Sequence, residues 1–271
     1  MQEAEQAQRR LLAVIRDIAE GRYSNEIMAL TRDDAPEPMR TVAEAMALMM
    51  VKVEAREFRL EGLVAELREL NQQIRRNTIG VVSALANALA ARNAYTEGHA
   101  SRVGELGAAL AQRLCLDAEA VELVRLGGVL HDIGKINFSD RLFEDHDARL
   151  PKDLVKVVLR HPEVGYNILR DLDFLGPALD YVRCHHERLD GSGYPRNVKA
   201  DEIPLGARIL AVADGFDAMT TDRPYQKGME HAVALANLRK QVPHRLDQEV
   251  VEALAAMIAE GALPAVEVEG G

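Results

Sequence analysis

Apolar side chains recur at helical spacing along most of this chain, and no stretch of useful length alternates with period two. Intervals of three and four residues stack side chains on one face of an α-helix, whereas a strand needs alternation. Leu11, Leu12, Ile15 and Ile18 predict a short amphipathic helix, and Gly21-Arg22-Tyr23-Ser24-Asn25 breaks it. A second break at 33–38, with Pro36 and Pro38, leads into a long helix. There the period becomes seven. One column holds Met46, Val53, Leu60, Leu67, Ile74 and Val81, and the other holds Met49, Leu63 and Leu70, with Arg56 and Asn77 as flaws. Glu66, Arg68 and Glu69 flank the columns. This pattern predicts either a parallel two-stranded coiled coil, hence a homodimer, or one long helix folded back on its own domain.

Residues 81–262 read as helix after helix. Val81, Leu85 and Leu89 recur at helical spacing, as do Leu106, Leu110 and Leu114. Asp117 is placed to cap a helix that runs through Leu123, Leu126 and Leu130 into His131. Segment 139–151 is polar and irregular. Further helices are predicted over 161–170, 174–187, 204–220, 230–241 and 247–258, with a loop at Asp190-Gly191-Ser192-Gly193-Tyr194-Pro195. The expected fold is all-α, with a helical region at 1–80, a main domain at 81–262 and a frayed tail at 263–271.

Composition narrows the function classes. Apolar residues make up 48% of the 271, enough for a real core, and an aromatic share of 4% without Trp favours helices over sheets. A net charge of -10 argues against a DNA or RNA polymer as partner, which would seek a basic face. A small phosphorylated substrate stays open. Cys115 and Cys184 sit in no C-x-x-C pair and are expected as reduced core thiols. No apolar run reaches the ~20 residues of a membrane span, and Met1-Gln2-Glu3-Ala4-Glu5 is polar and acidic, so a cytoplasmic protein is expected.

Six of the eight histidines fall between His99 and His186. They read His99, then His131-Asp132-Ile133-Gly134-Lys135, His146, His161-Pro162 and His185-His186-Glu187, with Asp214 following in Ala213-Asp214-Gly215-Phe216-Asp217. Imidazoles and carboxylates on separate segments that converge suit Zn, Fe, Mn, Ni or Co. The adjacent His131-Asp132 pair can serve two neighbouring metals, because the two oxygens of Asp132 allow it to bridge.

His99, His131-Asp132 and Asp214 reproduce the H…HD…D pattern of HD-domain phosphohydrolases. His185-His186-Glu187-Arg188-Leu189-Asp190-Gly191-Ser192-Gly193-Tyr194-Pro195 resembles the HHExxDGxGYP element of the HD-GYP subfamily. Segments 95–103 and 203–209 and the run Asp222-Arg223-Pro224-Tyr225 also resemble that family, over roughly 80–260. The region before the coil resembles a HAMP-like signalling module, which leaves room for an upstream or partner signalling protein. The resemblance implies an all-helical HD core with an added GYP loop. It also implies a metal-dependent phosphodiesterase that opens cyclic di-GMP to linear pGpG or GMP by attack of a metal-bridging hydroxide.

It further implies two divalent transition-metal ions. His99, His131, Asp132 and Asp214 would hold one; His161 and His185 would hold the second with Asp132 bridging; His186 would join the second or a third. Glu187 and Asp217 are candidates to orient the imidazoles. Lys135, one turn beyond His131, is assigned to phosphate or leaving-group contact, against the alternative of a surface lysine. Gly191, Gly193, Tyr194, Arg223 and Lys227 are the expected substrate contacts, the glycines because they let backbone approach a ligand. Arg208 is placed either on phosphate or in a pair with an Asp of the bundle. His146, His231 and His244 are expected on the surface. The chain departs from the family at Tyr95, where some members carry a Glu that helps hold a third metal, with Glu97 out of register; two metals are therefore expected. It departs again at Gln226 and in the acidic stretch 143–149. These differences keep two alternatives in view: a cyclic di-GMP sensor without turnover, and a hydrolase of another cyclic nucleotide.

Overall fold

A computed structural model describes residues 2–20, 22, 37–91, 98–138, 151–222 and 227–265. All regular structure among them is helical, as the periodicity requires. The chain forms two compact units, Met1–Arg76 and Asn77–Gly271.

In the first unit, α1 (Gln2–Ala19) and the N-terminal part of α2 (Glu37–Ala91) share a small apolar cluster. Leu11, Val14 and Ile18 meet Ala43, Met46, Ala47 and Met50, each set spaced by three or four residues. Leu12 and Ile15, expected in the stripe, lie outside it at 56% and 37% exposure. Farther along α2 the heptad columns stand exposed: Leu60, Leu63, Leu67, Leu70, Ile74 and Val81 range from 51% to 65%.

The second unit is built on α3 (His99–Arg113), α4 (Ala118–Leu130) and α8 (Leu205–Thr220), which pack mutually. Around them lie α5 (Lys152–Val158), α6 (His161–Leu169), α7 (Ala178–Cys184), α9 (His231–Arg239) and α10 (Gln248–Glu260). Val103 and Leu110 of α3, Val124 of α4, Ile209, Leu210 and Phe216 of α8, Leu238 of α9 and Leu254 of α10 form the main core. Asp117 caps α4 by accepting from Ala120 N at 2.8 Å, as its position predicts.

Three expectations are corrected. The helix expected over 174–187 is split: a 3₁₀ turn at Asp173–Leu175 ends at Gly176, whose φ of 44° no helix accommodates, and α7 starts after Pro177. The α-helix that enters His131 does not carry on for a further turn to Lys135. α4 stops at Leu130, and a 3₁₀ turn, Ile133–Asn137, follows. Cys115 is exposed, not in the core; Cys184 is buried, and both are free thiols.

Candidate metal centre

All but one of the candidate ligands come from helix ends or the corners beside them. His99 opens α3, His131 follows the last turn of α4, His161 opens α6, and His185-His186 follow α7. Asp132 sits in the corner between α4 and the 3₁₀ turn, and Asp214 lies mid-way along α8. Close backbone approach makes the convergence possible. A Cβ on Gly134 would lie 2.0 Å from His161 O and 2.6 Å from Gly165 N, so only glycine lets the 3₁₀ turn rest on α6.

Three imidazoles are oriented the same way. Nδ1 of His131 donates to Gly128 O at 2.6 Å, Nδ1 of His161 to Val158 O at 2.6 Å, and Nδ1 of His185 to Val182 O at 2.7 Å. These bonds assign the proton to Nδ1 and leave each Nε2 with its lone pair. The Nε2 atoms then face one another and Asp132. His161 Nε2 lies 3.3 Å from His185 Nε2 and 3.3 Å from Asp132 Oδ1, and His131 Nε2 lies 3.3 Å from Asp132 Oδ2. Lone pairs that face lone pairs with no proton between them repel, and Asp132 Oδ1 is buried with no hydrogen-bond partner. A divalent cation removes both penalties, and donors bonded to one at about 2.0–2.2 Å stand at such mutual distances.

Donor atoms within 4.8 Å of one another form three sets: His161, His185 and His186; His99, His131 and Asp214; His131, Asp132 and His185. The sequence-expected ligands are thus brought together, and His186 groups with His161 and His185. Asp132 turns one oxygen to each side, with His99 Nε2 4.0 Å from Oδ2. His99 Nε2 is 3.3 Å from Asp214 Oδ1.

Electrostatics leave most donors in the state a metal needs. Burial, reinforced by His186, holds His185 well below the usual imidazole range. Burial likewise lowers His186 to about 3. Burial opposes ionisation of Asp132, but the neighbouring His131 and Lys135 outweigh it and keep the carboxyl well below its usual range. Burial is overcome at Asp214 too, by the hydrogen bond from His99 and the proximity of His131. For His99, burial disfavours charge, yet hydrogen bonds to Asp214 and Asp217 raise it to about 9.

Of the two residues expected to orient imidazoles, Asp217 does so. Its Oδ2 accepts from His99 Nδ1 at 2.7 Å, while Arg102 grips both oxygens, Nε to Oδ1 at 2.6 Å and Nη2 to Oδ2 at 3.1 Å. Sequence reasoning missed Arg102. The signal was its place three residues after His99, matching Asp217 three after Asp214, so each pair shares a helix face. Glu187 makes no hydrogen bond to an imidazole among the described residues. It is buried, and its Oε1 accepts from Arg196 N at 2.6 Å and Asn197 N at 3.1 Å, pinning the loop after Pro195.

The loop accounts for its own glycines. Gly193 is a close-approach site, since its Cβ would lie 2.4 Å from Glu187 Cα, and Gly191 adopts φ 77°. Both requirements come from folding the loop, not from approach to a ligand. Tyr194 lies over His186, ring centroids 4.7 Å apart, and burial together with Asp214 and Asp132 raises its pKa, so it keeps its proton. Lys135 is not carried on from His131 by α-helix. It belongs to the 3₁₀ turn and donates from Nζ to Asp132 Oδ2 at 2.5 Å. Arg208 is structural: it donates to Ile203 O, Ala200 O and Asp247. Lys227, His231 and His244 are exposed. Tyr95, Glu97, His146, Arg223, Gln226 and the acidic stretch 143–149 lie outside the described residues.

The chain is similar to known proteins. A family model described as HD domain matches residues 83–250. The cyclic di-GMP phosphodiesterase response regulator RpfG of Xanthomonas campestris is 35% identical over 196 residues, covering 72% of this chain and 50% of that protein. The 3'3'-cGAMP-specific phosphodiesterase 3 of Vibrio cholerae is 35% identical over 175 residues, 64% of this chain and 38% of its own length. A cyclic di-GMP phosphodiesterase of Thermotoga maritima is 35% identical over 164 residues, 60% and 44%. The chain therefore spans half the length, or less, of these curated relatives. Among solved structures, a cyclic GMP-AMP phosphodiesterase of V. cholerae shares the fold at a TM-score of 0.53 and 18% identity, covering 70% of this chain and 51% of its own. No helix among the described residues is long and apolar enough to cross a membrane. Every residue of the helix-end cluster lies inside the matched span, and the chain belongs to the HD domain family.

Proposed function

We propose that the chain is a metal-dependent phosphodiesterase that opens cyclic di-GMP to linear pGpG and on to GMP. One observation carries the reading: two donor sets joined through Asp132, whose buried Oδ1 lacks a partner. His99, His131 and Asp214 would hold one divalent ion of the Fe, Mn, Ni, Co or Zn type, His161, His185 and His186 the other, with Asp132 reaching both. Bound there, two such ions supply an activated water and neutralise charge on a phosphodiester.

The remaining residues bind and orient the substrate. Lys135, its side chain 34% exposed and Nζ anchored on Asp132, donates to a phosphate oxygen at the rim. Tyr194 keeps its hydroxyl proton and donates a hydrogen bond with it to a phosphate or to the departing 3′ oxygen. Arg223 and Lys227 extend the cationic contacts, with Gly191 and Gly193 shaping the loop that carries Tyr194. Residues 81–262 form the phosphohydrolase, and 1–80 a dimerisation and signalling segment that pairs through the heptad columns. Two free thiols suit a reducing compartment, the cytoplasm.

Relatives equally similar to this chain are named for cyclic di-GMP and for 3'3'-cGAMP. The test is therefore a panel. Chain loaded in turn with Mn(II), Fe(II), Co(II), Ni(II) and Zn(II) is incubated with cyclic di-GMP and 3'3'-cGAMP, and products are separated by chromatography. pGpG or GMP is expected. Binding without turnover under every metal would overturn the enzyme reading in favour of a sensor, and turnover of 3'3'-cGAMP alone would correct the substrate.

A further inference from the structure

The segments that carry His131, Asp132, His161 and His185 rest on one apolar floor. Leu126 and Leu130 of α4, Ile133 of the 3₁₀ turn, Leu169 of α6, Leu175 and Val182 of α7 pack together there. Leu130 and Ile133 bracket His131-Asp132. Leu169 closes the helix that His161 opens. Val182 supplies the carbonyl that holds His185 Nδ1. The floor has a further contributor: Ile79, Val82 and Ala86, from the last turns of α2, pack against these same side chains. The neighbouring Val81 and Leu85 point elsewhere, each 60% exposed, and Val81 ends the first heptad column.

We propose that these last turns couple the pairing of two copies of the chain to the geometry of the metal centre. The inference rests on the dimer reading above. The occupant of the exposed face is a second copy, parallel and in register. β-Branched Val53, Ile74 and Val81 in one column with Leu63 and Leu70 in the other favour two parallel strands. Outside the flaw at Arg56, which faces its own copy in the seam, charge fits as well. In the flanking heptad positions of such a pair, Lys52 meets Glu57 of the second copy, and the pairs Arg59 with Val64, Glu66 with Asn71 and Gln73 with Thr78 contain no like charges. Val81 and Val82 are neighbours on one helix. Any rotation or shift of these turns that seats Val81 in the seam therefore moves Val82 and Ala86 within the cluster that holds Leu130 and Ile133. A close-packed floor passes that movement to the residues it carries.

The test uses the full chain and the double substitution Val81→Glu with Leu85→Glu, on the exposed face only. Oligomeric state is read by analytical ultracentrifugation, Mn(II) affinity by calorimetry, and amide hydrogen exchange across residues 130–135 by mass spectrometry. The expected result is a monomer with unchanged helix content, Mn(II) affinity weakened about tenfold, a coupling of ordinary size, and faster exchange across 130–135. Val81→Ile is expected to retain dimer, affinity and exchange. A monomeric variant with wild-type Mn(II) affinity and exchange overturns the coupling and leaves the dimer reading standing. A wild-type chain that is already monomeric overturns the dimer reading and the coupling with it. If Mn(II) binds neither protein, the exchange comparison decides alone.

Discussion

Gly134→Ala isolates the contact on which the candidate site depends. A Cβ there would stand 2.0 Å from His161 O and 2.6 Å from Gly165 N, where ordinary contact begins at 3.4 Å. All the neighbours are backbone, so no rotamer change relieves the clash. The 3₁₀ turn must lift from α6 by more than about 1 Å, whereas a site of this kind tolerates about 0.5 Å. His131 and Asp132 lie at one end of that turn and His161 on the other partner, so the 3.3 Å approach of His161 Nε2 to Asp132 Oδ1 is lost. Overpacking of this sort costs about 1–3 kcal/mol, a fall of a few to about 10 °C in melting temperature for a domain this size. A displacement of ~1 Å at the reacting groups lowers turnover about a hundredfold. Thermal melting, Mn(II) titration and cyclic di-GMP turnover are measured together. Gly261→Ala is the control: φ is 65° and nothing lies within 4 Å, so about 1 kcal/mol is lost and Mn(II) affinity is unchanged. A Gly134→Ala protein that melts and binds Mn(II) like wild type would refute the close approach and the site built on it.

Asp217→Asn removes the charge that Arg102 and His99 share, and metal affinity should fall about tenfold to a hundredfold; calorimetry with Mn(II) checks this, and wild-type affinity would deny Asp217 its positioning role. Asp132→Ala should empty both sets of donors, so metal analysis of the purified variant is expected to find neither ion; a retained pair would sink the bridging assignment. Tyr194→Phe keeps the ring over His186 but loses the hydroxyl, so turnover should drop while metal content holds; unchanged turnover would show that the hydroxyl contacts nothing that reacts. Burial, with Glu187 nearby, pushes the Cys184 thiol up to about 11, so at pH 8 it stays protonated and unreactive. Iodoacetamide should label the exposed Cys115 alone until the protein is unfolded, and equal labelling of both in the native state would contradict the packing around α7.

Much of the fold was legible because its signals are local. Asp117 caps α4 where a helix must start, and α8 spans the period-3.6 stretch from Leu205 to Thr220. The break that was missed, Gly176-Pro177, was also local; the apolar spacing on either side ran in phase and concealed it. The candidate ligands stood out by chemistry, since clustered His and Asp have few other uses together. Their partners did not. Glu187 and Asp217 looked alike as acids near histidines, yet one pins a loop and the other holds His99. Arg102 was one arginine among many until α3 and α8 were placed side by side.

Residue type and spacing alone settled the helical class, the heptad columns and the set of side chains able to bind metal, because propensity, period and donor chemistry belong to each residue and its near neighbours. Distance settled the rest. Only the packed helices decided that His186 stands with His161 and His185, that Asp132 turns an oxygen each way, and that the end of α2 joins the apolar cluster of Leu130 and Ile133. Those relations join segments tens of residues apart, and close packing, which no local pattern encodes, is what brings them within bonding reach.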